Sequence, residues 1–192
     1  GVEVTRGGDI NLLPKTTVGS VNLGNSGTLS SIYALVDSMQ AFLADGLLID
    51  GTILISGVAA EKFKTTTTAY YTIDGVQYSD AAADNLTFTA AYTINTGAAA
   101  GIFYGIFLVQ VNGAGTVSTL APGADQVYTT SALALAALPD AAADNVQLGY
   151  IIVGATTDVD WVANTDDMTD ASDCTTATFT DISVKTLPGA RP

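Results

Sequence analysis

The dipeptide Asp74-Gly75 is the feature that most narrows the folds open to this chain. It separates Tyr70 to Ile73 from Val76 to Tyr78, and a two-residue Asp-Gly loop between such runs favours the type I′ turn of a β-hairpin, because glycine takes positive φ without a Cβ clash. With that turn Ile73 faces Val76 and Tyr71 faces Tyr78, so these four side chains share one side of the ribbon. Thr72 and Gln77 occupy the other. One face therefore demands a cover.

The same punctuation recurs along the chain. Leu47 to Ile49, Asp50-Gly51 and Thr52 to Ile55 have the form of another hairpin. Thr65 to Thr68 is a run of β-branched residues that suits an extended strand. Leu86 to Ile94 alternates, with Leu86, Phe88, Ala90, Tyr92 and Ile94 on one side and Thr87, Thr89 and Thr93 opposite. Ile102 to Val111 is almost unbroken apolar sequence, the mark of a strand at the centre of its sheet, and Asn112 to Gly115 turns it into Thr116 to Leu120. Gln147 to Val153 and Ala177 to Val184 supply two more strands. Thr129 to Leu138, alanine-rich and stopped by Pro139, reads as a short helix. The hexapeptide DAAADN occurs at Asp80 to Asn85 and again at Asp140 to Asn145, each time ahead of an apolar strand, which points to a shared loop structure.

The N-terminal quarter is different. Gly1 to Gly27 is rich in Gly, Asn and Thr with no sustained apolar period, and it reads as an extended arm. Ser26 or Thr28 then caps a helix in which Leu29, Ile32, Tyr33, Val36, Met39, Gln40 and Leu43 recur at three- and four-residue steps, ended by Asp45-Gly46. That stripe must be buried on the domain or against copies of itself, which makes Leu29, Ile32, Val36, Met39 and Leu43 the candidate subunit interface. The fold class expected is mainly β, an antiparallel sandwich or barrel-like domain with an N-terminal arm and one amphipathic helix. Residues 1–50 would anchor and oligomerise, and residues 51–192 would form a displayed β domain.

Composition narrows function. Nineteen acids against six bases give a net charge of −13, which repels a phosphate backbone, so no nucleic-acid partner is expected. The chain has no histidine, which removes Ser-His-Asp and Cys-His nucleophilic catalysis and imidazole metal sites. Its single cysteine, Cys174, has no basic neighbour to activate it and no partner for an intrachain disulfide. The longest apolar stretch, Ala98 to Val111, contains Gly101, Gly105 and Gln110 and falls short of the roughly 20 residues a spanning helix needs, so no membrane partner is expected. Gly1 to Asn11 lacks the basic and apolar regions of a secretory leader, and a leader already removed would leave the same sequence.

Two stretches invite a site. Asp158, Asp160, Asp166, Asp167, Asp170 and Asp173 surround Trp161, yet Val162 stands where an EF-hand loop carries its third ligand, and the loop glycine and closing glutamate are absent. A solvated acidic loop is the expectation, with no metal or other cofactor. Gly19 to Gly27 lacks the lysine and hydroxyl pair of a phosphate loop. Pairs drawn from seventeen aspartates give no specific glycosidase signature, so no catalytic residue is assigned. Trp161, Tyr150 and Phe179 would form either a small aromatic patch or part of the core.

The wording of the chain adds a resemblance. FKTTTTAYYTIDGVQYSDAAADN at Phe63 to Asn85, YGIFLVQVNGAGTVST at Tyr104 to Thr119, ALALAALPDAAADNVQLGYIIV at Ala132 to Val153 and WVANTDDMTDASD at Trp161 to Asp173 resemble, in content and order, a type of β-rich structural protein of tailed bacteriophages. The resemblance spans roughly Glu61 to Ser183. It implies a non-enzymatic virion component on the particle exterior, a capsid decoration or head-fibre subunit. Its partners would be copies of itself, as a trimer by analogy with other virion appendages, and the major capsid protein or another virion protein. Two rival expectations are a tail or receptor-binding module, with exposed Tyr, Trp161 and aspartates lining a glycan groove, and a filament subunit whose Gly1 to Gly27 arm is a donor strand.

Overall fold

The computed structural model describes residues 2–4, 10–12, 36, 44–96, 101–156 and 159–182. The chain divides into two compact units, residues 1–42 with 187–192 and residues 43–186. Of the described residues 46% lie in strands and 5% in helix, so the fold is mainly β, with several antiparallel sheets in a sandwich-like arrangement.

In the first unit, β1 (Val2–Val4) and β2 (Ile10–Leu12) pair antiparallel, Val2 opposite Leu12. The arm thus folds back on itself here. The helix expected after it lies outside the described residues except at Val36, which is helical and 43% exposed.

The second unit is built on one long antiparallel pair. β9 (Phe103–Asn112) and β12 (Asn145–Ala155) run in register from Asn112 opposite Asn145 to Phe103 opposite Ala155. β10 (Val117–Leu120) and β14 (Cys174–Asp181) flank them in the order β10-β9-β12-β14. Phe107, Val109 and Val111 of β9 and Val146, Leu148, Ile151 and Val153 of β12 face the main core. Ile106 and Ile152 face the other way, under Ala134 of α1 (Ser131–Ala136), with Tyr104, Tyr128, Leu138 and Tyr150 around them. Both faces are covered, which is why β9 is almost unbroken apolar sequence rather than alternating. Thr130 caps α1 by accepting from Leu133 N–H, as a helix N-cap should.

Between Leu148 and Ile151 the alternation in β12 skips a step. A bulge between Gln147 and Gly149 absorbs the extra residue and keeps Val146, Leu148, Ile151 and Val153 in one core. Gly149 is there for space. A Cβ on it would collide with the Thr180 carbonyl oxygen and stand 2.7 Å from Ile53 Cδ1.

Over the inner face of this sheet lie three smaller ones. β3 (Gly46–Ile49), β6 (Ala69–Ile73) and β7 (Val76–Asp80) form one, in that order. The Asp74-Gly75 turn is as expected: φ is 51° and 75°, and Ile73 pairs Val76 and Tyr71 pairs Tyr78, whose rings stack at 5.8 Å. Tyr71 O–H then donates to the Asn112 carbonyl at 2.8 Å, tying this ribbon to the end of β9. β4 (Ile53–Ile55) pairs β5 (Phe63–Thr65), and β8 (Thr93–Ile94) lies between β11 (Asp125–Gln126) and β13 (Trp161–Val162).

Three expectations are corrected. Leu47 to Ile55 is not a hairpin: β3 pairs β6 and β4 pairs β5, because Asp50 to Thr52 is a corner that carries the chain from one sheet to another. Thr66 to Thr68 is not strand, since Thr66 and Thr67 turn back to donate to the Gly51 carbonyl at 2.9 and 3.2 Å. Leu86 to Ile94 is a strand only at Thr93 and Ile94. Phe88 is buried all the same, and its backbone is paired by a side chain. Its N–H donates to Asn164 Oδ1 at 2.7 Å and its carbonyl accepts from Asn164 Nδ2 at 2.9 Å.

The DAAADN echo is real but offset. Asn85 takes φ 64° in the first copy and Asp144 φ 58° in the second, each the residue just before pairing begins at Leu86 or Asn145. Asn and Asp tolerate this left-handed backbone better than most residues.

Replacing Gly149 by alanine is expected to destabilise the protein by about 1–3 kcal/mol, the usual cost of overpacking a tight core. Gly123, whose Cβ would meet nothing closer than 3.6 Å, is the control and should shift by no more than about 0.5 kcal/mol on the same change. Urea denaturation of the two variants checks this; equal midpoints would refute the packing argument.

Candidate assembly surface

The acidic stretch is a set of backbone caps. Asp160 Oδ1 accepts from Thr96 N–H at 2.7 Å and from its hydroxyl at 3.1 Å. Asp166 Oδ2 accepts from Val162 N–H at 2.6 Å. Asp167 Oδ1 takes the N–H and hydroxyl of Thr169, both at 2.6 Å, and Asp170 Oδ1 those of Ser172, both at 2.8 Å. The Ser172 bonds hold the Asp170 carboxyl below the usual aspartate range. Asp173 accepts from the Ser172 hydroxyl at 3.3 Å, and Asp158 lies outside the described residues. The described carboxylates are turned to backbone and hydroxyl donors, Asp170 and Asp173 sharing the Ser172 hydroxyl, rather than to a common centre. Among the described residues no group of three or more His, Cys, Asp or Glu side chains could hold a metal ion.

Trp161 is the most buried aromatic of the region, at 0% exposure, with ring contacts to Phe88 and Phe107 at 5.8 Å each. It therefore lines no surface groove. Nor does it meet Tyr150, which packs on the other face of the large sheet, whereas Phe179 borders the main core. Cys174 is buried, burial pushes its thiol pKa up, and Sγ donates to the Thr176 carbonyl at 3.2 Å. A protonated, enclosed thiol is a poor nucleophile.

What the second unit offers outward is apolar side chains on a strongly acidic body. Ile49 and Tyr70 stand opposite each other on β3 and β6 and are 54% and 37% exposed. α1 buries only Ala134, leaving Leu133 and Leu135 exposed on either side of it, and Leu54, Val58, Val76 and Val127 are exposed as well. The sequence hid these positions because periodicity marks apolar residues without saying which of them the domain leaves uncovered. Of the interface residues expected on the first helix, Val36 is exposed, and Leu29, Ile32, Met39 and Leu43 lie outside the described residues. No described helix is long and apolar enough to cross a membrane.

No protein-family model, no curated protein and no solved structure matches the chain.

Because each carboxylate of residues 160–173 already serves a local donor, millimolar calcium is expected to leave the melting temperature within about 1 °C of its metal-free value. A saturable rise on titration, by linkage of binding to stability, would show a site that the geometry does not.

Proposed function

We propose that this protein is a non-enzymatic structural subunit of a tailed-bacteriophage virion, a capsid decoration or head-fibre protein. It self-associates, as a trimer, and attaches to the particle through its N-terminal region while the β domain is displayed. The observation that carries this reading is the division of the chain into a small unit, residues 1–42 with 187–192, and a larger β unit, residues 43–186. In this reading the small unit holds and the larger one is displayed. The resemblance of residues 61–183 to β-rich phage structural proteins supports it.

Charge supports it too. A net charge of −13 keeps densely displayed copies soluble and directs the protein away from packaged nucleic acid. Long-range repulsion between copies then has to be overcome at short range, by apolar contact such as the exposed side chains of β3, β6 and α1 make available.

Two measurements test the reading. Light scattering on the purified full chain should give three times the 19.5 kDa chain mass. Gold-labelled antibody should coat the heads of intact particles, and deletion of residues 1–42 should abolish attachment while leaving the β domain folded. A monomer that labels no particle, or labels the tail tip alone, would overturn it.

A further inference from the structure

The two edges of the large sheet are finished differently. β10 is one edge and β14 the other. In β10, Asn112 N–H donates to the Thr116 carbonyl, so by antiparallel alternation the backbone groups of Thr119 point away from β9. Both are capped. Thr119 N–H donates to Thr89 Oγ1 at 2.7 Å, and its carbonyl accepts from the Tyr92 hydroxyl at 3.2 Å.

β14 carries no such cap. Ile182 N–H donates to the Leu148 carbonyl at 3.1 Å, so Thr180, Thr178 and Thr176 bond to β12 while the N–H and carbonyl groups of Ala177 and Phe179 point outward. Among the described residues none of these four groups meets a donor or acceptor. This edge is eight residues long against four in β10, and Thr176 and Thr178 on it are exposed. It lacks the devices that keep sheet edges apart, since Cys174 to Thr180 contains no proline, no lysine and no charge. Threonine and phenylalanine hold it extended. Such an edge accepts another extended backbone.

We propose that this edge is a contact between copies of the chain, in which β14 pairs antiparallel with β14 of a second molecule about a two-fold axis through Thr178. Charge and size select the register. An axis through Ala177 would set Asp181 of each copy opposite Asp173 of the other, like charges at both ends of the ribbon. An axis through Phe179 would set the two phenylalanine rings directly against each other. Through Thr178, Asp181 faces Thr175, Thr176 faces Thr180, and each Phe179 ring lies beside the small Ala177 side chain of the other copy. The outward N–H and carbonyl groups of Ala177 and Phe179 then satisfy one another across the axis. Ala177 and Phe179 border the main core, so the pairing continues that core from one molecule into the next. In a chain of net charge −13, this uncharged run lets two copies approach.

The contact does not rest on the proposed trimer. A two-fold contact cannot lie inside a three-fold ring, so it joins one trimer to another and ties displayed β domains side by side.

Cysteine substitutions in the full chain, oxidised without reductant, test the pairing. In Thr178→Cys the new thiols stand opposite each other with Cα atoms about 4.5 Å apart, within disulfide range. In Thr176→Cys, at an equally exposed position, they are separated by about 13 Å along the ribbon, at roughly 3.3 Å per residue. Thr178→Cys should therefore run as a cross-linked pair on a non-reducing gel, and Thr176→Cys should not; Cys174 is buried and contributes to neither. Thr178→Lys places like charges face to face on the axis, so its sedimentation mass should cease to rise with concentration while its melting temperature stays near that of the wild type. No cross-link at position 178, equal cross-linking at both positions, or a Thr178→Lys mass that climbs like the wild type would each defeat the contact. A wild-type mass of three chains with no cross-link at 178 removes the contact and keeps the trimer. Cross-linking at 178 alone, with a wild-type mass of two chains, keeps the contact and removes the trimer.

Discussion

The fold rests on the pairing of β9 with β12. Ten paired positions, from Asn112 with Asn145 to Phe103 with Ala155, join two long strands whose faces are both withdrawn from water, and where β10 stops short Gln126 Oε1 accepts from Ile106 N–H at 2.8 Å. Only such a ladder makes an apolar run such as Gly105 to Val109 affordable, because unpaired amides buried at that depth would be costly. The bulge at Leu148 and the absence of a Cβ on Gly149 allow β14 and Ile53 to close on it. Both faces then acquire their covers, the aromatic core on one side and Ala134 of α1 on the other.

Phe88 shows how the inner cover is held without a regular strand. Its ring meets Phe63, Phe107 and Trp161 at centroid distances of 5.4, 5.0 and 5.8 Å, so it sits at the hub of the aromatic core. Its backbone is satisfied by the Asn164 amide, which offers an acceptor and a donor as a neighbouring strand would. Asn164 itself has φ 65°, a conformation its short polar side chain tolerates. The turn after β13 therefore helps to place the centre of the core.

The aspartates follow the same economy. In a chain with nineteen acids and six bases, most carboxylates have no cation to meet. Asp160, Asp166, Asp167 and Asp170 accept from nearby N–H and hydroxyl groups, and Asp181 accepts from Ile53 N–H across the fold. Their charge remains available to keep copies apart in solution, and their oxygens fix loops. This division of labour suits a protein that works by displayed surface, the reading proposed above.

Local chemistry in the sequence determined the Asp74-Gly75 hairpin with its Tyr71–Tyr78 pair, the central apolar strand after Ile102, the short helix ahead of Pro139 and the mainly β class. Each depends on residues a few positions apart, so the pattern and the structure are set by the same steric rules. Tertiary structure alone decided that Asp50-Gly51 is a corner and not a hairpin turn, that Phe88 pairs with a side chain 76 residues away, that Trp161 is core, and that Leu133 and Leu135 stay exposed beside Ala134. The expected interface helix was legible only as a stripe, since periodicity marks an apolar face without naming what covers it. The bond from Ile53 N–H to Asp181 was invisible for a related reason: the fold sets these residues together across 128 positions, and no spacing along the chain encodes that neighbour.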